Sequence, residues 1–386
     1  MGTLAGVIPA WLSRGRLAFH DFAYDGLLER AEIRRGIARV LRMRHLHEHA
    51  GFVRDFEAEF AASLGGVPAL AVASGTDALY MALRQAGVGP GREVITCPNT
   101  WVTTLSTVHE LGGHCHFVDI DRQTGLLDPT QVPAAIGPTT VAVLPIHMYG
   151  SMVPMAGLMR LAHDAGLSVI EDACQAVGAS CDGRAAGAWG DAGCFSFHTT
   201  KLVGAPGDGG MLVTPHAAWQ HDFRRDAIVQ WDQALVLAQA RVPSRLSALH
   251  VPFLRARLRR LAARIAGRAR QWQRYREGLK GLQHGRLLTH APGVAPAFRN
   301  CILVSRHKKA IADECRHVGI PVEEIYPGSL AFVQRLAAQG FVLPNALELA
   351  ADNLSLPLGR QMSDRRIDQV IDIVSRHDRA SALATN

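Results

Sequence analysis

This chain has no apolar run long enough to cross a bilayer. Its longest, such as Val141-Ala142-Val143-Leu144-Pro145-Ile146, are strand-sized, which argues against a helical membrane span. At the N-terminus, Leu4 to Leu12 is weakly apolar, but no basic segment precedes it and no cleavage site comes after it. No signal peptide is expected. Cysteine is sparse: there are seven, an odd number, with no C-x-x-C pair. Reduced thiols in a cytoplasm are expected rather than a disulfide framework. His114-Cys115-His116 has metal-binding residue types but no second ligand pair nearby, and it alternates like a strand. No metal is expected there. Low-complexity linkers and internal repeats are also missing, and with charged residues at 19% nothing suggests disorder.

The chain does have material for a large core. The 386 residues are 48% hydrophobic, enough for two domains. The net charge of +7 favours anionic partners. Much of the excess lies between Arg255 and Arg276, where Arg257, Arg259, Arg260, Arg264, Arg268, Arg270 and Arg274 accompany an apolar stripe of Leu254, Leu258, Leu261, Ile265 and Trp272. This pattern predicts one long helix with a solvated arginine face. No nucleic-acid motif accompanies it, and no nucleic-acid partner is expected.

From about residue 55 to 215, short apolar runs alternate with helical stretches, the pattern of an α/β unit with a mostly parallel sheet. Strands are expected at Leu70 to Ala73, Glu93 to Thr96, His116 to Ile120, Val141 to Ile146, Ser168 to Glu171, Cys194 to Phe197 and Met211 to Val213. Helices are expected at Thr76 to Ala86, at Thr104 to Leu111, and from Asp128-Pro129, where an acid caps and a proline opens the first turn. Beyond Ala217 the chain turns to Arg-rich and Ala-rich helices, then to a mixed α/β tail from about Asn300. The expected division is a large domain over residues 1–240, with an N-terminal helical segment, and a smaller C-terminal α/β domain over 241–386, entered by the Arg-rich helix.

In an open α/β sheet, ligands sit beyond the carboxyl ends of the strands, and several chemically capable residues fall there. Lys201 ends Phe195-Ser196-Phe197-His198-Thr199-Thr200-Lys201. Asp172 ends the apolar strand in Val169-Ile170-Glu171-Asp172, with Gln175 a helical turn further on. A lysine able to form a Schiff base, with a carboxylate one structural unit upstream, is what pyridoxal phosphate chemistry requires. The lysine holds the cofactor aldehyde and later shuttles a proton, and the carboxylate keeps the ring nitrogen protonated. Ser74-Gly75-Thr76-Asp77 opens a helix whose free amides suit a phosphate. Trp101 is placed to stack on a flat ring, and Ser196 can donate a hydroxyl to phosphate. Taken singly, each has a plainer reading: a helix cap for Ser74-Gly75-Thr76 and for Asp172, core or interface packing for Trp101, and a backbone-bonded hydroxyl for Ser196. Their convergence on one rim is what favours the cofactor.

Ala73-Ser74-Gly75-Thr76-Asp77-Ala78-Leu79, Phe117-Val118-Asp119, Pro145-Ile146-His147-Met148-Tyr149-Gly150, Ile170-Glu171-Asp172-Ala173-Cys174-Gln175-Ala176, Gly190-Asp191-Ala192-Gly193-Cys194-Phe195-Ser196-Phe197-His198 and Gly207-Asp208-Gly209-Gly210 succeed one another in this order. In these stretches the chain resembles the sugar aminotransferases of the DegT/StrS group, within the fold-type I pyridoxal phosphate enzymes. Gly319-Ile320, Tyr326-Pro327 and Leu354-Ser355-Leu356-Pro357 extend the likeness more faintly. The resemblance implies a three-layer large domain with a mostly parallel sheet and a smaller C-terminal α/β domain. It implies that Lys201 forms the Schiff base, Asp172 pairs with the ring nitrogen, Gln175 sits by the ring hydroxyl, Trp101 stacks, and Gly75, Thr76 and Ser196 hold the phosphate. It implies a cytoplasmic homodimer that passes an amino group from an amino acid, glutamate or glutamine, through pyridoxamine phosphate to a keto sugar or keto cyclitol. Family members that dehydrate sugars carry histidine in place of the lysine.

The chain departs from the family pattern at Leu202, commonly asparagine. It departs again at Asp226-Ala227-Ile228-Val229-Gln230-Trp231, and at Val242-Pro243-Ser244-Arg245, where an asparagine of the family reaches the neighbouring subunit's cofactor. Gly328-Ser329-Leu330 stand where a histidine is expected. These departures motivate two alternatives: a pyridoxal phosphate enzyme of elimination, retro-aldol cleavage or cyclisation, and a relict serving as a binding protein.

Overall fold

The computed structural model describes residues 26–227 and 243–384. Leu4 to Leu12, Ile228-Val229-Gln230-Trp231, Val242 and the expected boundary at 240–241 lie outside the described residues. Two helices, Gly26–Arg42 and Leu46–Ser63, come first. In the second, Phe56 and Phe60 are one turn apart and fully buried, and they meet Phe195 and Phe197 edge to face at ring separations of 5.0 to 5.7 Å. That places the helix against the strand that leads to Lys201.

In chain order the strands are β1 (Ala69–Val72), β2 (Glu93–Thr96), β3 (His114–Phe117), β4 (Thr140–Val143), β5 (Ser168–Asp172), β6 (Ser180–Cys181), β7 (Arg184–Ala185), β8 (Ala192–Ser196) and β9 (Gly210–Val213). Seven of them form one sheet in the order β1-β9-β8-β5-β4-β2-β3. β9 runs antiparallel to both neighbours, and the other pairings in the sheet are parallel. Successive residues point to opposite faces, so Val94 and Ile170 enter one core while Ile95 and Val169 enter another. Both faces are covered, which is why these strands read as continuous apolar runs.

Among the expected boundaries that moved, two have a clear physical reason. The strand expected over 116–120 is β3, shifted to His114–Phe117. Beyond it Asp119 leaves the ladder, and its carboxylate accepts the main-chain N–H groups of Asn345 and Ala346, both at 2.9 Å. Those amides open the helix Pro344–Asp352, so a buried acid neutralises that helix start and ties the C-terminal part to the sheet. Asp128 does cap, accepting from Thr130 N–H, but the chain then forms only a 3-10 turn, Pro129–Gln131, and four helical residues, Val132–Ala135. Gly137 stands before Pro138, and a residue before proline is pushed out of helical geometry.

The Arg-rich segment is not one helix, and its arginine face is solvated only in part: Arg259, Arg270 and Arg274 are exposed, while others turn to distant acids. The segment forms two helices, Val251–Arg259 and Leu261–Gly278, broken at Arg260. Arg264 reaches the fully buried Glu29 at 3.3 Å, Arg260 reaches Glu32 at 2.9 Å, Arg255 reaches Glu59 and Arg274 reaches Asp368. The partners are acids far away in sequence, which helical periodicity does not register. Beyond this pair, β10 (Gly285–Leu287), β12 (Cys301–Ser305) and β13 (Asn353–Leu356) form an antiparallel sheet with its own core around Trp272, Tyr275, Leu303, Ile367 and Val374. β11 (Val294–Ala295) pairs instead with the hairpin β6–β7. Among the described residues no helix is long and apolar enough to cross a membrane.

Asp119→Ala leaves two buried amides without acceptors and is expected to cost about 2–4 kcal/mol. Urea unfolding measures this, and an unchanged midpoint would show that the helix start finds another acceptor.

Candidate active site

Strand alternation gives the two acids at the end of β5 different surroundings. Glu171 faces inward and is fully buried, accepting from the main-chain N–H of Gly187, Trp189 and Gly190 at 2.7 to 2.9 Å. His147 Nδ1 accepts from Val153 N–H, which leaves the Nε2 proton for Glu171 at 2.9 Å. Every lone-pair direction of Glu171 is used, so it clamps the loop before β8. Asp172 points to the opposite side at the rim. Its Oδ2 accepts from Thr104 Oγ1 at 2.8 Å and its Oδ1 from Cys174 N–H at 3.1 Å. It is 5% exposed, and among the described residues no lysine, arginine or histidine forms an ion pair with it. Its main chain is held on both sides, by His147 N–H at its carbonyl and Pro145 O at its N–H, with Ala173 N–H reaching Cys194 O.

The helix Gly75–Gln85 starts at the same rim, where Ser74 caps it by accepting from Asp77 N–H at 3.0 Å. Contact dictates glycine at 75. A Cβ there would lie 2.8 Å from Cys174 Sγ and 2.9 Å from Ser196 Cβ, so the helix opening presses directly on the ends of β5 and β8. Thr76 is half-buried with its hydroxyl on Thr103 at 3.2 Å, and the Ser196 hydroxyl accepts from His198 N–H at 3.3 Å. His198 itself is exposed and meets Thr200. Ser244, next to Pro243, donates to Asp77 Oδ2 at 2.5 Å and accepts from Ala73 N–H at 2.9 Å. The departure at Pro243 therefore sits against the first turn of this helix.

Lys201 lies in the turn after β8, its N–H on His198 O at 2.8 Å. Gly204 closes that turn, since a Cβ there would meet His198 O at 2.5 Å and Thr199 O at 2.9 Å. Burial, and then the nearby Arg299 guanidinium, lower the lysine to about 8. Gln175 is buried, with three hydrogen bonds. Its Oε1 accepts from Tyr149 N–H at 3.2 Å and from Arg299 Nη1 at 3.1 Å, and its Nε2 donates to Tyr326 Oη at 2.6 Å. The Tyr326 ring lies 5.3 Å from Trp101, which is 54% exposed. Tyr326 adopts φ of 53°, a left-handed conformation costly for a bulky residue, and its hydroxyl is pushed up to about 12 by burial. Asn99 completes the wall, accepting from Tyr149 Oη at 3.1 Å.

The fold thus brings Gly75, Thr76, Trp101, Asp172, Gln175, Ser196 and Lys201 to one rim. Sequence reasoning missed Thr104, Tyr149 and Arg299, and valued Tyr326 only through Tyr326-Pro327. Thr104 lies in the first turn of the helix Val102–Glu110 that Trp101 caps, so its proximity was readable in principle. Arg299 interrupts the apolar approach to β12, a signal that goes unread without knowing what faces it. Gly75→Ala is expected to lower stability by about 1–3 kcal/mol through overpacking. Thermal unfolding checks this, and an unchanged midpoint would mean that Ser196 and Cys174 yield freely.

Comparison with known proteins agrees with this arrangement. The model of the DegT/DnrJ/EryC1/StrS aminotransferase family matches residues 28–375. A dTDP-3-amino-3,4,6-trideoxy-alpha-D-glucose transaminase of Micromonospora megalomicea is 35% identical over 337 residues, covering 84% of this chain and 90% of the relative. A UDP-N-acetyl-3-dehydro-alpha-D-glucosamine 3-aminotransferase of Acidithiobacillus ferrooxidans is 35% identical over 357 residues, 90% of this chain and 94% of the relative. Among solved structures, S. venezuelae DesV in complex with a ketimine intermediate superposes with a TM-score of 0.84 at 33% identity, covering 94% of this chain and 98% of that one. The chain belongs to the DegT/DnrJ/EryC1/StrS aminotransferase family and is a pyridoxal phosphate-dependent aminotransferase.

Proposed function

We propose that this enzyme moves an amino group from an amino acid, glutamate or glutamine, to a keto sugar carried on a nucleotide. One observation carries the site assignment: the rim holds a buried carboxylate that forms no ion pair among the described residues and, close by, a lysine lowered to about 8. A desolvated anion with two neutral donors lacks a positive partner, and a protonated pyridine nitrogen supplies one. The residues therefore fit pyridoxal phosphate. Bound there, the cofactor supplies an electron-withdrawing ring that carries the amino group between donor and acceptor.

In this reading Asp172, oriented by Thr104 and the Cys174 amide, holds the ring nitrogen. Gly75 and Thr76 offer main-chain N–H groups at a helix start, and Ser196 adds its hydroxyl, for the phosphate. Trp101 stacks, supported by the neighbouring Tyr326 ring, and Gln175 stands at the ring hydroxyl. The Lys201 Nζ would hold the cofactor and would also serve to move a proton to and from the substrate carbon. An amine lowered to about 8 suits both tasks, because a sizeable neutral fraction is present near neutrality. The relatives named for dTDP- and UDP-linked amino sugars support the acceptor class. The exposed Trp101 and Val102 at the rim support a homodimer that covers them, and the seven free cysteines support a cytoplasmic setting. The relict reading is disfavoured because Lys201, Asp172 and Gln175 stand together, and elimination, cleavage and cyclisation are disfavoured because the relatives are aminotransferases.

Lys201→Ala is expected to abolish multiple turnover with glutamate and a nucleotide-linked keto sugar. Sustained turnover in a purified variant would sink the assignment. Burial and Arg299 both disfavour the ammonium form, so capture of added pyridoxal phosphate by cofactor-free protein should speed up with pH through about 8. Arg299→Gln removes one of those influences and should move that midpoint upward. Stopped-flow absorbance over pH decides it, and a downward movement would contradict the electrostatic account.

A further inference from the structure

The first turn of the helix Val102–Glu110 reaches the cofactor site at three points. Trp101, which precedes it, offers its ring, Thr103 accepts from the Thr76 hydroxyl at 3.2 Å, and Thr104 donates to Asp172 Oδ2 at 2.8 Å. The hydroxyls of this helix are not used alike. Ser106 and Thr107 give theirs to the carbonyl of Thr103, at 3.2 and 2.6 Å, as helical serine and threonine commonly do. Thr104 turns its own away from the helix main chain to a carboxylate on β5, 68 positions along the chain. Behind it stands Thr100, whose hydroxyl donates to Thr104 Oγ1 at 3.1 Å. Thr100, Thr104 and Asp172 are all buried.

Chemistry fixes the direction of this chain. A carboxylate only accepts, so the single Thr104 proton goes to Asp172 and the Thr104 oxygen receives from Thr100. Hydrogen bonds in series polarise one another, and a low local dielectric strengthens them. A carboxylate that receives them holds its negative charge more firmly and competes less for a shared proton. The other donor, Cys174 N–H at 3.1 Å, lies two residues on in the same segment and moves with Asp172. Thr104 comes from a separate helix. It therefore sets the rotation of the carboxylate about its Cβ–Cγ bond, a torsion that is broad when nothing holds it.

We propose that Thr104, backed by Thr100, is a positioning residue that keeps the proton on the ring nitrogen of the cofactor instead of on Asp172. The inference rests on the reading that Asp172 holds that nitrogen, and deepens it by naming what decides where the proton resides. The proton matters because a protonated ring withdraws electrons more strongly from the reacting carbon.

The test is the nitrogen-15 signal of pyridoxal phosphate labelled at its ring nitrogen and loaded into the enzyme, since that signal separates protonated from unprotonated nitrogen. In the unaltered holoenzyme it is expected at the protonated position. Thr104→Val, close in shape but without the hydroxyl, is expected to move it towards the unprotonated position, and Thr100→Val to move it less in the same direction. Thr104→Ser restores the hydroxyl and the signal. Thr107→Val removes a buried hydroxyl that donates to its own helix and leaves the signal in place. Bleaching of the cofactor absorbance by saturating glutamate is expected to slow about tenfold in Thr104→Val, with the half-saturating glutamate concentration unchanged. If Thr104→Val does not retain the cofactor, Thr100→Val decides. An unprotonated signal in the unaltered holoenzyme, a signal unmoved in both Thr104→Val and Thr100→Val, or an equal displacement in Thr107→Val overturns the proposal. Asp172→Asn separates the two levels. If it leaves the signal in place, the placement of Asp172 at the ring nitrogen has failed. If it moves the signal while the Thr104 and Thr100 variants do not, only the role of Thr104 has failed.

Discussion

The site depends on how the end of β5 is held. Asp172 belongs formally to the strand, yet its main chain pairs beyond β4 with Pro145 and His147, while Ala173 reaches Cys194 within β8. The ladder is thereby prolonged by a residue on each side, and the carboxylate is presented on a rigid main chain rather than on a loop. The neighbouring Glu171 makes this possible. With three amides and one imidazole on its oxygens, it fastens the connection into β8 underneath the rim. Two adjacent acids thus divide the labour by strand alternation alone: the inner one is committed to structure, the outer one is left for a cation.

Helix starts serve the molecule in two opposite ways. At Pro344–Asp352 the free amides are given to Asp119, an internal anion, and the result is a joint between sheet and C-terminal part. At Gly75–Gln85 only Asp77 N–H is given to a cap, while Gly75 lets the start press on β5 and β8. The same electrostatics that closes one helix start is the ground for proposing a phosphate at the other.

Charge around the lysine is shared out among few groups. Arg299 depresses the amine and holds Gln175. The departures from the family pattern have local structural counterparts. Leu202 packs against the main core and lends its carbonyl to Arg264. Pro243 brings Ser244 onto Asp77 and Ala73. Leu202 directly follows Lys201 and Ser244 lies against the start of the helix Gly75–Gln85, so the departures fall where the local architecture is rebuilt.

The sequence by itself determined what short-range physics encodes. Apolar runs punctuated by glycine and proline marked the sheet strands and the order of the helices. Ser74-Gly75-Thr76, Asp172, Gln175 and Lys201 were legible because each lies at a strand end or in the turn that follows one, where local pattern and chemistry coincide. Only the tertiary structure decided the rest. Arg299 comes to Lys201 across almost a hundred positions of sequence, Thr104 to Asp172 across 68, and Asp119 to the helix at Pro344 across more than two hundred. All the arginines read as one solvated face, though only some are exposed, because periodicity records only which residues share a helix side. Whether that side meets water or a distant carboxylate is set by long-range packing, and a linear pattern carries no record of it.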